Sequence, residues 1–132
     1  MKLAYLCILV ACLLPIVCAG IAKSGSFGRP RSQGGYDNRD PRAWLAGQQG
    51  YRARANAAQA NSFEALPLFI AGVLVAQLSG VAAATVNALA LAFVVLRVLY
   101  IALYVTDRAA ARSIVWMLGI GVCIALFVLA LI

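Results

Sequence analysis

Long apolar stretches, separated by short polar segments, make up most of this chain. Each stretch is about 20 residues or longer, which is enough for an α-helix to cross the hydrocarbon core of a bilayer. The pattern therefore predicts an all-α integral membrane protein, a four-transmembrane-helix bundle in a single domain. The predicted spans are residues 3–22, 53–78, 81–105 and 113–132.

The first apolar stretch also resembles a secretion signal. Lys2 gives it a short basic start, and the residues from Val17 to Gly20 resemble a cleavage site. The stretch is long and continuous, however, and most basic residues follow it instead of preceding it. Positive charge after an apolar helix keeps the following segment in the cytoplasm, so we favour an uncleaved first span.

Residues 23–51 form the only extended polar region. Within it, Asp40 followed by Pro41 is a typical helix start, with an N-cap acceptor before a proline at the first helical position. We expect this helix to be interrupted near Gly47 and Gly50, because glycine is a poor helix former.

The basic residues predict an orientation. The chain carries 11 Lys and Arg against 4 Asp and Glu, and seven of the basic residues lie between Lys23 and Arg54. Two more lie in the second polar connection, residues 106–112. Cytoplasmic loops are enriched in Lys and Arg, so both connections are predicted to be cytoplasmic, with both termini outside. The same clustering, without an aromatic-rich basic motif, argues against nucleic acid as a partner.

Glu64 and Arg97 are opposite charges inside two of the predicted spans. A charge in hydrocarbon is costly, so an ionisable residue there is a candidate for a functional site. With a rise of about 1.5 Å per residue, both lie about 15 Å from the cytoplasmic edge of their helices. We therefore expect them to be charge partners, either in a ligand site or as a lock on helix packing.

Other polar residues lie on the helix faces that carry Glu64 and Arg97, or begin the fourth span on the cytoplasmic side. On the second and third spans they recur every three or four positions, as one face of a helix requires. They predict a polar cleft entered from the cytoplasm and suited to an anionic ligand, because cations and a helix N-terminus line it. The set is Asn61, Glu64, Arg97, Tyr100, Tyr104, Arg112 and Ser113.

Two residue types limit the chemistry. The chain has no histidine, which removes imidazole as a general base and as a metal ligand. Its four cysteines show no CxxC spacing, so neither a metal site nor a redox motif is predicted. We expect these cysteines to behave as small hydrophobic residues.

The polar motifs resemble those of a known family, the MAPEG family of membrane-associated proteins in eicosanoid and glutathione metabolism. The likeness covers residues 52–116, and the segment 38–42 resembles that of bacterial members. It rests on the order and spacing of Asn-x-x-Glu at 61–64, Pro67, Arg-x-x-Tyr-x-x-x-Tyr at 97–104 and Arg-Ser at 112–113.

The resemblance implies a homotrimer in a bacterial inner membrane, with glutathione as co-substrate in clefts between subunits. Arg112 matches the arginine that stabilises the thiolate, so it is the implied catalytic residue, and Arg97 joins the site by its position. The second substrate would be a small lipophilic electrophile or hydroperoxide that arrives from the lipid bilayer. The implied glutathione site consists of Asn61, Glu64, Tyr100, Tyr104, Arg112 and Ser113.

Two positions depart from the family pattern. Ala57 stands one turn before Asn61, where many relatives carry an arginine, and Trp116 stands one turn after Arg112, where several carry a tyrosine. A non-catalytic trimeric scaffold with a relic glutathione site is therefore an alternative to the enzyme. A small proton-coupled transporter is a third hypothesis, because such proteins also combine four spans with a membrane carboxylate.

Overall fold

A computed structural model describes residues 2–132 of the chain, and most of these residues are helical, with one long connection between the first two spanning helices. Four of the helices, α1, α3, α4 and α5, are long and apolar enough to cross a membrane. The chain is therefore an all-helical, multi-pass integral membrane protein, as the hydropathy pattern predicts. The α-helices are α1 (Lys2–Lys23), α2 (Pro41–Ala46), α3 (Tyr51–Leu78), α4 (Ala83–Val105) and α5 (Ala109–Leu131), and a short 3₁₀ helix covers Arg31–Gln33.

The four spanning helices run alternately up and down. At one end of the bundle, the Ala4 N–H of α1 donates to Asn87 Oδ1 near the start of α4, at 3.1 Å. At the opposite end, Arg54 Nε of α3 donates to the carbonyl of Val105 at the end of α4, also at 3.1 Å. We call the first the terminal end, since α1 begins and α5 finishes there. The second is the loop end, which carries both basic connections.

The helix boundaries follow local signals. Asp40 caps α2, because its carboxylate accepts from the Ala43 N–H at 3.2 Å, and α2 ends at Ala46 as predicted. Gly50 then turns the chain into α3 with a φ of 63°, a left-handed conformation that glycine adopts without strain. The start of α5 differs from the predicted 113. It lies one turn earlier, at Ala109, because the alanines before Arg112 are strong helix formers.

The long connection between α1 and α3 is folded upon itself. At its base the hydroxyl groups of Ser24 and Tyr51 lie 3.0 Å apart, which joins the end of α1 to the start of α3. Above this contact, Phe27 packs edge-on against Tyr36, and Tyr36 packs edge-on against Trp44, with ring centroids 5.4 and 5.2 Å apart. The connection is therefore held by a hydroxyl contact at its base and an aromatic cluster above it.

Small side chains allow α1 to lie close against α3. Close approach of helix backbones increases van der Waals contact, which drives helix association within a bilayer. The central pair is α3 and α4, since each contacts all of the other spanning helices. The buried residues of α1 are Ala4, Cys7, Ala11, Leu14, Pro15, Cys18 and Ala22.

The interior changes character along the bundle. Toward the terminal end, Phe69 and Phe93 stack with ring centroids 4.0 Å apart within a large apolar cluster. Toward the loop end, a smaller cluster gathers around Ile101 and Val115. Between the two clusters lies the side chain of Arg97, which is only 4% exposed. A buried cation therefore separates the two apolar clusters of the interior.

Candidate functional site

The candidate site is built around Arg97, which points from α4 toward α3. Its Nη1 donates to Asn61 Oδ1 at 3.0 Å, and its Nη2 donates to Ser62 Oγ at 3.1 Å. The guanidinium carbon also lies 4.2 Å from the centroid of the Tyr100 ring, within range of a cation–π interaction. Within residues 2–132, Arg97 Nε has no hydrogen-bond partner. Arg97 is thus held by neutral oxygens and an aromatic face.

The two acceptors on α3 have further contacts. The Ser62 hydroxyl donates to the carbonyl of Ala58 at 2.8 Å, so its lone pairs remain for Arg97. Asn61 Nδ2 donates weakly to Glu64 Oε2 at 3.4 Å. A hydrogen-bonded path therefore runs from the buried guanidinium, through the amide of Asn61, to the exposed carboxylate of Glu64.

The expected direct pairing of Glu64 with Arg97 is wrong. In the described part of the chain, the only ion pair within 4.0 Å joins Arg31 to Asp37, at 3.4 Å. The helical rise gives two residues the same depth but does not say which way each one faces. At 100° per residue, Glu64 lies about 200° around α3 from Ser62, which faces Arg97. Glu64 therefore points out of the bundle and reaches Arg97 only through Asn61.

A cleft of about 370 Å³ opens beside this path, between α3, α4 and α5. A smaller hollow of about 80 Å³ adjoins it and brings in Glu64. Asn61 and Trp116 line both cavities. Five residues of the predicted set thus line these two adjoining cavities: Asn61, Glu64, Tyr100, Arg112 and Ser113. The larger cleft is lined by Asn61, Tyr100, Arg112, Ser113, Trp116 and Met117.

Arg112 and Tyr104 form the side of the site nearest the loop end. The guanidinium carbon of Arg112 lies 4.1 Å from the centroid of the Tyr104 ring. That ring packs edge-on against Tyr100, with centroids 5.6 Å apart. Two cations thus flank a pair of tyrosines, and within residues 2–132 neither cation has a carboxylate within 4.0 Å. Arg112 therefore gives the cleft a cation that no carboxylate of residues 2–132 contacts directly.

Ser113 and the start of α5 contribute less than predicted. The Ser113 hydroxyl donates to the carbonyl of Ala109 at 3.1 Å, so it can offer the cleft only lone pairs. The Arg112 N–H donates to the carbonyl of Arg108 at 2.9 Å. The unpaired N–H groups of α5 therefore lie one turn before Arg112, because the helix begins earlier than the charge pattern suggests.

Sequence reasoning missed two residues of the site, Ser62 and Met117. Ser62 binds Arg97, and its signal was available, since it is a polar residue on the small-residue stripe that includes Ala58 and Ala65. Met117 lines the cleft and is 67% exposed. An exposed methionine in an apolar span gives no signal of its own, because such residues also face lipid.

Among the comparisons with known proteins, one gives a match. The family model described as MAPEG family matches residues 3–132, nearly the whole chain. This match includes every residue named above as part of the site. Neither the search of curated proteins nor the search of solved structures gave a match.

Proposed function

The chain belongs to the MAPEG family, and on that premise we propose that it is a membrane-embedded, glutathione-dependent enzyme. It transfers glutathione to lipophilic electrophiles, or uses it to reduce lipophilic hydroperoxides. One observation carries this proposal. Asn61, Tyr100 and Arg112 converge on one cleft, and Glu64 lies in the hollow beside it.

The charges of this space match those of glutathione. The tripeptide has two carboxylates, an amino group and a thiol. Arg112 and the hydroxyl and amide groups of Tyr100 and Asn61 suit its carboxylate and carbonyl oxygens, which accept hydrogen bonds. Glu64 has no ion pair within residues 2–132, so its carboxylate suits the amino group. The charges of the site therefore suit a tripeptide with two carboxylates and one ammonium group.

Arg112 provides the proposed catalytic group. A cationic guanidinium stabilises a thiolate over a thiol, and the thiolate is the nucleophile. In the transferase reaction, the sulfur attacks an electrophilic carbon and expels its leaving group. In the peroxidase reaction, two glutathione molecules reduce the hydroperoxide to an alcohol and water and become a disulfide. Trp116 and Met117, both exposed, offer the lipophilic substrate an apolar wall.

A homotrimer is part of this proposal, because in a single chain the carboxylate of Glu64 would face lipid. The carboxylate is exposed on a spanning helix, where contact with lipid would cost a few kcal/mol. A neighbouring copy of the chain would cover it. A separate hollow of about 350 Å³, which includes Asn56 and Gln59, lies on another side of α3. Native mass spectrometry from detergent measures the number of copies.

We also propose that this membrane is a bacterial inner membrane, with the loop end in the cytoplasm and both termini outside. The concentration of basic residues at the loop end supports this orientation. Reporter fusions at Gly35 and at the C-terminus should give opposite locations. Mass spectrometry of the mature protein should show an intact first span. A new N-terminus at Gly20 would contradict the four-span topology.

Calorimetry with glutathione tests the central proposal. The purified protein should bind glutathione with a dissociation constant below 1 mM, which corresponds to about 4 kcal/mol. Asn61→Ala and Glu64→Ala should weaken binding at least tenfold. Turnover is then measured with a chloronitrobenzene and with an organic hydroperoxide. The absence of binding at millimolar glutathione would contradict the enzyme.

A non-catalytic scaffold with a relic site is the second candidate. Two observations favour it: Ala57 supplies no cation before Asn61, and the Ser113 hydroxyl is already bound to α5. A scaffold would form trimers without turnover. A proton-coupled transporter, the third candidate, would instead accumulate substrate in vesicles that carry a pH gradient.

A further inference from the structure

Arg97 lies in an unusual environment for a charged group in a membrane protein. It is 4% exposed, and no carboxylate of residues 2–132 lies within 4.0 Å of it. A buried cation without an anion is costly, and its neighbours must compensate through oriented hydrogen bonds. Those neighbours, Asn61 and Ser62, are adjacent residues of one helix.

A guanidinium can only donate hydrogen bonds, so its partners must present oxygen. The side-chain oxygen of Asn61 is therefore held toward Arg97, and the amide nitrogen points the other way, toward Glu64 and the hollow beside the cleft that both residues line. The alternative rotation would place the NH₂ group against the guanidinium, donor against donor. The buried cation thus decides which end of the amide faces the ligand space.

We propose that Arg97 is a positioning residue that holds the Asn61 amide with its NH₂ group toward the cleft. Residue 61 then offers the ligand a hydrogen-bond donor, and the ligand must place an acceptor oxygen opposite it. Glu64 becomes the acceptor for a cationic group. This inference rests on the proposed function for the ligand, but the hold of Arg97 on Asn61 is independent of it.

The test moves one carboxylate by one helical turn. The double variant Asn61→Asp/Glu64→Gln keeps the net charge and places the carboxylate directly against Arg97. Removing the charge at Glu64 avoids repulsion with the new aspartate. If Arg97 donates to residue 61, the variant gains a buried ion pair. Its midpoint of thermal unfolding in detergent should rise by about 3 °C over wild type.

A matched control places the same carboxylate elsewhere on α3. Asn56→Asp/Glu64→Gln makes the identical change of side chains, but Asn56 lines the other hollow of α3. Its midpoint should not rise. In the Arg97→Gln background, the change at residue 61 should lower the midpoint, since the aspartate then lacks its cation. Should Arg97→Gln fail to fold, the thermal midpoints of the variants at positions 61 and 56 still test the proposal. Equal midpoints for those two variants would overturn the proposal.

Glutathione binding supplies a readout that a purely structural role would not change. Although more stable, Asn61→Asp/Glu64→Gln should bind glutathione at least tenfold more weakly than Glu64→Gln alone, because it presents an acceptor instead of a donor. Equal affinity of the two variants for glutathione would overturn the assignment of the Asn61 NH₂ group as a donor to the ligand. Should wild type bind no glutathione, the proposed function fails, while the thermal comparison still determines whether Arg97 positions residue 61.

Discussion

The two halves of the bundle are built on different principles. The half toward the terminal end is filled by apolar side chains, with Phe69 stacked on Phe93 at its centre. The half toward the loop end holds a buried cation, an open cleft and a carboxylate that faces outward. The first half therefore supplies most of the apolar packing, and the second combines a smaller apolar cluster with polar groups that are costly to hold in a membrane.

Helix contacts reinforce this contrast. In the apolar half, a Cβ atom added at Gly72 would lie 3.3 Å from the Cβ of Leu126, so α3 and α5 touch closely. In the polar half, α3 and α5 separate around the cleft between Asn61 and Trp116. The same two helices thus pack closely at one end and line a cleft at the other.

The largest expected effect comes from removing the aromatic stack. Phe93→Ala should lower the free energy of unfolding by about 3–5 kcal/mol, because it leaves a cavity in the apolar half. Leu91→Ala, at an exposed position of the same helix, is the control and should cost much less. Unfolding in mixed micelles measures both. Similar losses would show that the stack does not dominate the stability of this half.

Replacement of Arg112 tests the function of the polar half, where the previous variant tests the stability of the apolar half. Arg112→Ala should abolish the ultraviolet absorbance of bound thiolate, with a loss of about 1–3 kcal/mol from a charge-assisted hydrogen bond. The Arg112→Ala variant should still bind glutathione more tightly than the Asn61→Ala and Glu64→Ala variants do. Arg108→Ala, one turn earlier and exposed, is the control and should retain the absorbance. Loss of the absorbance in both variants would point to general electrostatics instead of Arg112.

The close contact between α3 and α5 can be tested with one methyl group. Gly72→Ala should destabilise the protein by about 1–2 kcal/mol, because the new methyl group forces the helices apart. Gly121→Ala is a matched control, since no atom lies within 4 Å of its added Cβ. It should stabilise slightly, because alanine is the better helix former. A stable Gly72→Ala protein would mean that this half packs loosely.

The smallest effect concerns Glu64 and Arg97. Because they communicate through Asn61, we expect a coupling free energy of about 0.5–1 kcal/mol in a double-mutant cycle with alanine. The loss from the double variant should be smaller than the sum of the single losses. The coupling should disappear when Asn61 is replaced by alanine. If the losses from the two single variants add strictly in the wild-type background, the proposed coupling through the Asn61 amide is contradicted.

Much of the fold could be predicted because hydropathy alone identifies membrane spans, and the basic loops could be assigned to one end. Helical rise also placed Asn61 and Tyr100 at a similar depth in their spans, and Arg112 opens the next span at the same end. The small-residue stripe marks Ser62 as an interior position of α3, but its contact with Arg97 could not be predicted from depth. It depends on how each helix is rotated about its axis, and the helical rise does not contain that angle. The same limit produced the wrong pairing of Glu64 with Arg97.

The hydroxyl contact between Ser24 and Tyr51 has a consequence for the length of the connection above it. This contact closes the segment from residue 24 to residue 51 at its base. Lengthening a loop whose ends are already joined costs little, about 0.6 kcal/mol for each doubling of its length. The exposed turn at Arg31–Gln33 can therefore accept inserted residues, such as an affinity tag, while the spanning helices keep their positions.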